Sequence, residues 1–74
     1  MKNFDYLITS DINREKLSCE IYYQDEIFAE ITQETDELII EIYSCRKERW
    51  WKIPLNDLFD AISYGRQHLL ASNE

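Results

Sequence analysis

The chain has 74 residues, 45% of them hydrophobic, and a formal net charge of −7 from 15 acidic and 8 basic side chains. That length holds one domain (residues 1–74) with a modest core; a domain this small buries only about 60% of its unfolded surface, so association would add stability. The aliphatic and aromatic content excludes a disordered chain, and the acidic balance argues against nucleic-acid binding, which needs a basic patch.

No apolar run approaches the ~20 residues of a membrane-spanning helix. The opening MKNFDYLITSD lacks the basic start and long apolar core of a signal peptide. No membrane partner is expected, and the expected location is cytoplasmic. Cys19 and Cys45 form no CxxC pattern and are expected as free thiols.

Alternation of apolar and polar residues marks a first strand over Phe4–Ser10, with Phe4, Tyr6 and Ile8 on one side. Asp11–Lys16 is polar and predicts a turn. Leu17–Tyr23 is the second strand, with Leu17, Cys19, Ile21 and Tyr23 inward and Ser18, Glu20 and Tyr22 outward. A three-residue loop, Gln24 to Glu26, is expected next, because it sets Ile27, Ala29 and Ile31 of the third strand (Ile27–Gln33) opposite Tyr23, Ile21 and Cys19. A two-residue loop would shift that register and mix apolar with acidic positions.

ETDE (Glu34–Glu37) predicts the next turn. Leu38–Tyr43 is the fourth strand, with Leu38, Ile40 and Ile42 inward. After the basic turn SCRKER, a short fifth strand is expected over Trp50–Ile53, with Trp51 and Ile53 inward. Pro54 suits a first helical turn. Leu55, Leu58, Phe59, Ile62, Leu69 and Leu70 then form the apolar stripe of a helix lying across the sheet. Asp57 and Asp60 fall early in that helix, and Arg66 and His68 late, as its dipole favours. Gly65 weakens the helix by about 1 kcal/mol against Ala, so it implies close approach to the sheet. Ala71–Glu74 is expected to fray. The fold class is α+β: an antiparallel β-meander of five strands with one C-terminal helix packed on one face.

The segment Leu17–Tyr43 holds Glu20, Asp25, Glu26, Glu30, Glu34, Asp36, Glu37 and Glu41 and no Lys or Arg. These carboxylates are the candidate contacts for a basic protein partner. One helix covers one face of a sheet. The other face is expected to carry Tyr22, Phe28, Ile39, Tyr43 and Trp50 among Glu20, Glu30 and Glu41. An apolar patch of that kind marks an interaction site, either for a second copy in a homodimer or for a different protein anchored on Tyr and Trp.

Signals for catalysis are sparse. His68 is the single histidine, so no His pair can build a metal site, and no cofactor or metal is expected. Cys45 lies beside Arg46 and Lys47, whose charges would lower a thiol pKa, but no base is near it in sequence. The single glycine rules out a Gly-rich phosphate loop, and ETDE lacks the ligand spacing of a calcium loop. The basic cluster Arg46, Lys47, Arg49 and Lys52 is expected to pair with the acids, within the chain or across a dimer. The chain is not expected to be an enzyme.

The segments KLSCEIYYQDEIFAEITQE, ELIIEIY and WKIPLNDLFDAISYGRQHLL resemble small acidic immunity proteins of bacterial polymorphic-toxin systems, of the contact-dependent-inhibition and Maf-type families. The likeness is one of pattern over residues 17–70, without a diagnostic motif. It implies an antitoxin-like inhibitor that binds a toxin domain, often a basic nuclease, and blocks or distorts its active site. The alternative is a small regulatory or adaptor domain with a non-toxin partner.

Overall fold

A computed structural model of the chain describes residues 3–74; Met1 and Lys2, the first residues of the opening MKNFDYLITSD, lie outside the described residues. Four strands, β1 (Phe4–Thr9), β2 (Ser18–Tyr23), β3 (Glu26–Thr32) and β4 (Ile39–Ile42), form one antiparallel sheet in chain order. The helix α1 (Leu55–Ser72) crosses one face, chiefly over β2 with β1 and β3 at its sides, and stops short of β4. The α+β meander is as expected, with four strands in place of five. Among the described residues no helix is long and apolar enough to cross a membrane.

The β2–β3 hairpin resolves the choice of loop length in an unexpected way. Its turn has two residues, Gln24 and Asp25, both left-handed (φ 49° and 69°), between the paired Tyr23 and Glu26. Positive φ at both central residues gives a turn whose twist matches that of the strands. The register farther along is nevertheless the one the apolar pattern required, with Ile21 opposite Ala29 and Cys19 opposite Ile31. A β-bulge reconciles the two: Tyr22 pairs with Ile27, Ile21 with Ala29, and Phe28 is the extra residue. The bulge exchanges two side chains between faces. Phe28, expected on the open face, is 4% exposed and joins the core, while Ile27 sits opposite Tyr22 and outside the core cluster.

The core forms between sheet and helix from Phe4, Cys19, Ile21, Phe28, Ala29, Ile31, Ala61 and Leu69. Trp51 packs edge-on against Phe28 (ring centroids 5.1 Å apart) and Tyr23 (6.5 Å), and its indole N–H donates to the Tyr43 carbonyl at 2.7 Å. These contacts explain the missing fifth strand. A strand must pair along a sheet edge, whereas Trp51 draws its segment onto the helix-side face at the hairpin end and away from the β4 edge. The expected inward pair Trp51 and Ile53 is still partly buried, and Trp50 is exposed, but it lies beside the hairpin turn rather than on the open face.

The helix begins at Leu55, with Pro54 one residue outside it as N-cap (φ −53°, ψ 132°), and the Leu58 amide donates to the Pro54 carbonyl at 3.0 Å. Gly65 makes the close approach its position implied. A Cβ there would stand 3.1 Å from Ile21 Cδ1 and 3.4 Å from Ile31 Cδ1. Ala61, Gly65 and Leu69, at four-residue spacing, form the underside of the helix. Leu55 and Phe59, expected in the buried stripe, are instead 64% and 63% exposed. Tyr64 on one flank packs against Tyr6 of β1 with tilted rings (centroids 4.6 Å apart), so the flank with Leu55, Phe59, Ile62 and Arg66 faces β4, which the helix leaves uncovered. The C-terminal end is helical through Ser72 rather than frayed, because the side-chain amides of Asn73 and Gln33 bond reciprocally at 2.8 and 2.9 Å and Gln33 also donates to the Leu17 carbonyl at 2.9 Å. His68 therefore falls before the last turn, where it stacks on Tyr64.

Candidate functional site

The face of the sheet opposite the helix is organised around Glu30. Side chains alternate along a strand and directly opposed residues share a face, so the pairings Glu20 with Glu30 and Glu30 with Glu41 set three carboxylates in a row across β2, β3 and β4. Such a row is unfavourable unless cations or donors intervene. Both are present. Glu30, only 6% exposed, accepts from the Ser18 hydroxyl at 2.6 Å and the Tyr43 hydroxyl at 2.9 Å, and Ser18 is itself bonded to Thr9 at 2.8 Å. Arg14 bridges Glu30 (3.3 Å) and Glu41 (3.2 Å) through one guanidinium nitrogen. The bonds to Glu30 are charge-assisted and correspondingly strong. Glu20 accepts from the Tyr22 hydroxyl at 2.8 Å.

The β1–β2 loop brings Arg14 to this face. Asp11 shapes its turn, accepting the Asn13 amide on its side chain (2.8 Å) and the Arg14 amide on its carbonyl (2.9 Å). The Glu34 carboxylate pins the far side of the loop by accepting the Glu15 and Lys16 amides at 2.8 and 2.9 Å, and the Glu15 amide bond is the main reason its carboxyl is held below the usual carboxylate range. The hydrogen bond to Glu30 raises the Tyr43 hydroxyl to about 12, and the bond to Glu20 raises that of Tyr22.

The eight expected partner-binding carboxylates thus divide into two sets. Glu30, Glu34 and Glu26, which accepts the Arg46 amide, are committed to bonds within the chain. Asp25, Asp36 and Glu37 are exposed in the turns at either end of β3, and Glu20 and Glu41 flank Glu30 on the open face, where each has one bond within the chain, to Tyr22 and to Arg14. Of the five expected open-face side chains, Tyr22 and Tyr43 are there with their hydroxyls engaged, Ile39 is there at 42% exposure, Phe28 is in the core and Trp50 lies elsewhere. The face is consequently more polar than its pattern suggested.

The residues missed at the sequence level are Arg14 and Ser18. Arg14 lies in a polar turn outside the acidic segment, and only its turn geometry aims it at Glu30. Within the chain, the basic cluster Arg46, Lys47, Arg49 and Lys52 makes no ion pair with the acids among the described residues. Among the described residues both ion pairs belong to Arg14, and Arg46 contributes its backbone amide alone.

A shallow cleft lined by Tyr23, Cys45, Lys47, Trp50, Trp51 and Lys52 opens beside the β2–β3 turn, with no histidine in its lining. Cys19 is fully buried, and burial pushes its thiol up to about 11. Among the described residues no group of three or more His, Cys, Asp or Glu is placed to hold a metal ion. No family model matches the chain, and neither a curated protein nor a solved structure is similar enough to it to count as a match.

Proposed function

We propose that the chain is an immunity protein: a non-enzymatic inhibitor that binds a basic toxin domain, a nuclease by preference, through the acidic side of β3. One observation carries the proposal. The exposed acids Asp25, Glu41, Asp36 and Glu37, with the half-buried Glu20, run from one end of β3 across the open face to the other end, and among the described residues Arg14 is the one cation paired with them. The seven residues of β3 span about 23 Å. A groove that binds a phosphate backbone presents Lys and Arg over a comparable length, and an acidic ribbon would meet those side chains in place of the substrate. The resemblance to small acidic immunity proteins points the same way.

Co-expression with the product of the adjacent upstream gene tests the reading. Growth arrest by that product alone, rescue by this chain and a stable complex on purification are the expected results. The absence of both toxicity and a complex would overturn it, and a complex without toxicity would make the chain a regulatory adaptor. Within a confirmed complex, charge reversal at Asp25, Asp36 and Glu37 together should weaken binding and flatten its salt dependence. Glu34 is left out of that set because its reversal would release the β1–β2 loop.

A further inference from the structure

We infer that β4 is the interface between two copies of this chain, joined edge to edge into one sheet of twice four strands. This inference rests on no part of the toxin-binding reading.

The Tyr43 amide donates to the Phe28 carbonyl at 2.9 Å, continuing the register that pairs Glu41 with Glu30 and Ile39 with Thr32. Along an antiparallel ladder the backbone groups of alternate residues point to opposite sides. Those of Ile39 and Glu41 therefore face β3, while those of Leu38, Ile40 and Ile42 face outward, toward no strand. The edge is also apolar. Ile40 and Ile42 are 37% and 61% exposed, and the four-residue strand has no Lys, Pro or bulge to turn a second strand away. Its one charge, Glu41, is drawn onto the open face by Arg14.

A second copy is the occupant that the strand fits. With a two-fold axis at Ile40, Ile40 meets its own copy, Leu38 meets Ile42 and Ile39 meets Glu41. No like charges oppose, and every outward amide and carbonyl of the strand gains a partner. The neighbouring register, centred on Glu41, would set two carboxylates face to face and is disfavoured. Size agrees as well. The exposed parts of Ile39, Ile40, Ile42, Leu55 and Phe59, with the groove that Ile62 and Arg66 line beside β4, amount to roughly 600 Å². Together with the paired backbone edge, that approaches the ~800 Å² each partner gives to a standard interface. Tyr22, Phe28, Ile39, Tyr43 and Trp50 were expected as a dimer or partner face; the edge pairing uses Ile39 of that set, leaves Tyr22 and Tyr43 uncovered and places two acidic rows side by side.

The test is solution mass by light scattering, combined with amide hydrogen exchange. The expected mass is twice the 9.0 kDa of one chain, with the Ile40 and Ile42 amides protected. Ile42→Lys should give a monomer with an unchanged circular dichroism spectrum, and Tyr22→Lys should remain dimeric. A monomeric wild type at every concentration, a dimer with unprotected Ile40 and Ile42 amides, or a dimer dissolved by Tyr22→Lys but not by Ile42→Lys would overturn the inference. Should Ile42→Lys fail to fold, exchange at those two amides in the wild type decides it alone.

Discussion

Substitution of Gly65 measures how tightly the helix is seated, and the seat sets how much of β4 stays bare. Replacing Gly by Ala inside a helix stabilises it by about 1 kcal/mol when nothing obstructs the methyl group. Here the new Cβ would meet Ile21 Cδ1 at 3.1 Å and Ile31 Cδ1 at 3.4 Å. Carbon atoms pack best at about 3.5–4.0 Å, so Ile21 must yield by several tenths of an ångström inside a filled core. Overpacking of that kind costs about 1–3 kcal/mol. Gly65→Ala is therefore expected to lose about 1 kcal/mol net, and Gly65→Val about 3 kcal/mol, a fall in Tm on the order of 10–20 °C for a domain this small. Ile21→Val removes the obstructing Cδ1 atom at a cost of about 1 kcal/mol. In that background Gly65→Ala should become neutral or stabilising, a coupling of about 1 kcal/mol between the two sites. Urea titrations followed by the fluorescence of Trp51, partly buried against Phe28, supply the four stabilities. If Gly65→Ala stabilises the wild type by the full helix-propensity gain, or if the coupling vanishes, close packing is not what reserves position 65 for glycine.

Three further outcomes are expected. Phe28→Ala should cost about 3–5 kcal/mol as a core truncation, against about 1 kcal/mol for Ile27→Ala; the reverse order would refute the bulge that exchanges their faces. Gln33→Ala should cost about 1–3 kcal/mol by stranding the Leu17 carbonyl and freeing Asn73, and hydrogen exchange should quicken over the last helical turn; an unaltered last turn would show that the amide pair does not hold it. Alkali should destabilise the fold. Burial raises Tyr6 to about 12 from 10.0 and Cys19 to about 11 from 9.0, and the Glu30 bond raises Tyr43 to about 12. The folded state keeps protons that the unfolded chain releases, so this stability is whole below about pH 9 and is lost as pH rises toward 12. Denaturation midpoints across that window, with tyrosinate absorbance as the second signal, check the claim, and a flat profile would contradict it.

Much of the site's framework was legible in the chain. Leu17, Cys19 and Ile21 alternate with Ser18 and Glu20 strongly enough to assign faces, and the meander order follows from short turns between short strands. The acids Glu20, Glu30 and Glu41 share a face for the same reason. Their arrangement was not legible, because Arg14 reaches Glu30 from 16 residues away through a loop that Glu34 must hold. Alternation also cannot tell a free carboxylate from one enclosed by Ser18, Tyr43 and Arg14.

By itself, then, the sequence determined the α+β class, the side of each residue in β2 and β4, the extent of the acidic segment and the close approach at Gly65. Period-two and helical spacing are local properties, and burial on one face enforces them. Tertiary structure alone decided three things. A two-residue turn with left-handed Gln24 and Asp25 conflicts with the core register unless one residue is extruded, and Phe28 is that residue because the pocket beside Trp51 accepts its ring. The Trp50–Ile53 segment had the right alternation for a strand, but the bond from Trp51 to the Tyr43 carbonyl and its packing on Phe28 took it off the sheet edge. That left β4 bare. An edge is a property of which strands meet, and no window of sequence contains both partners.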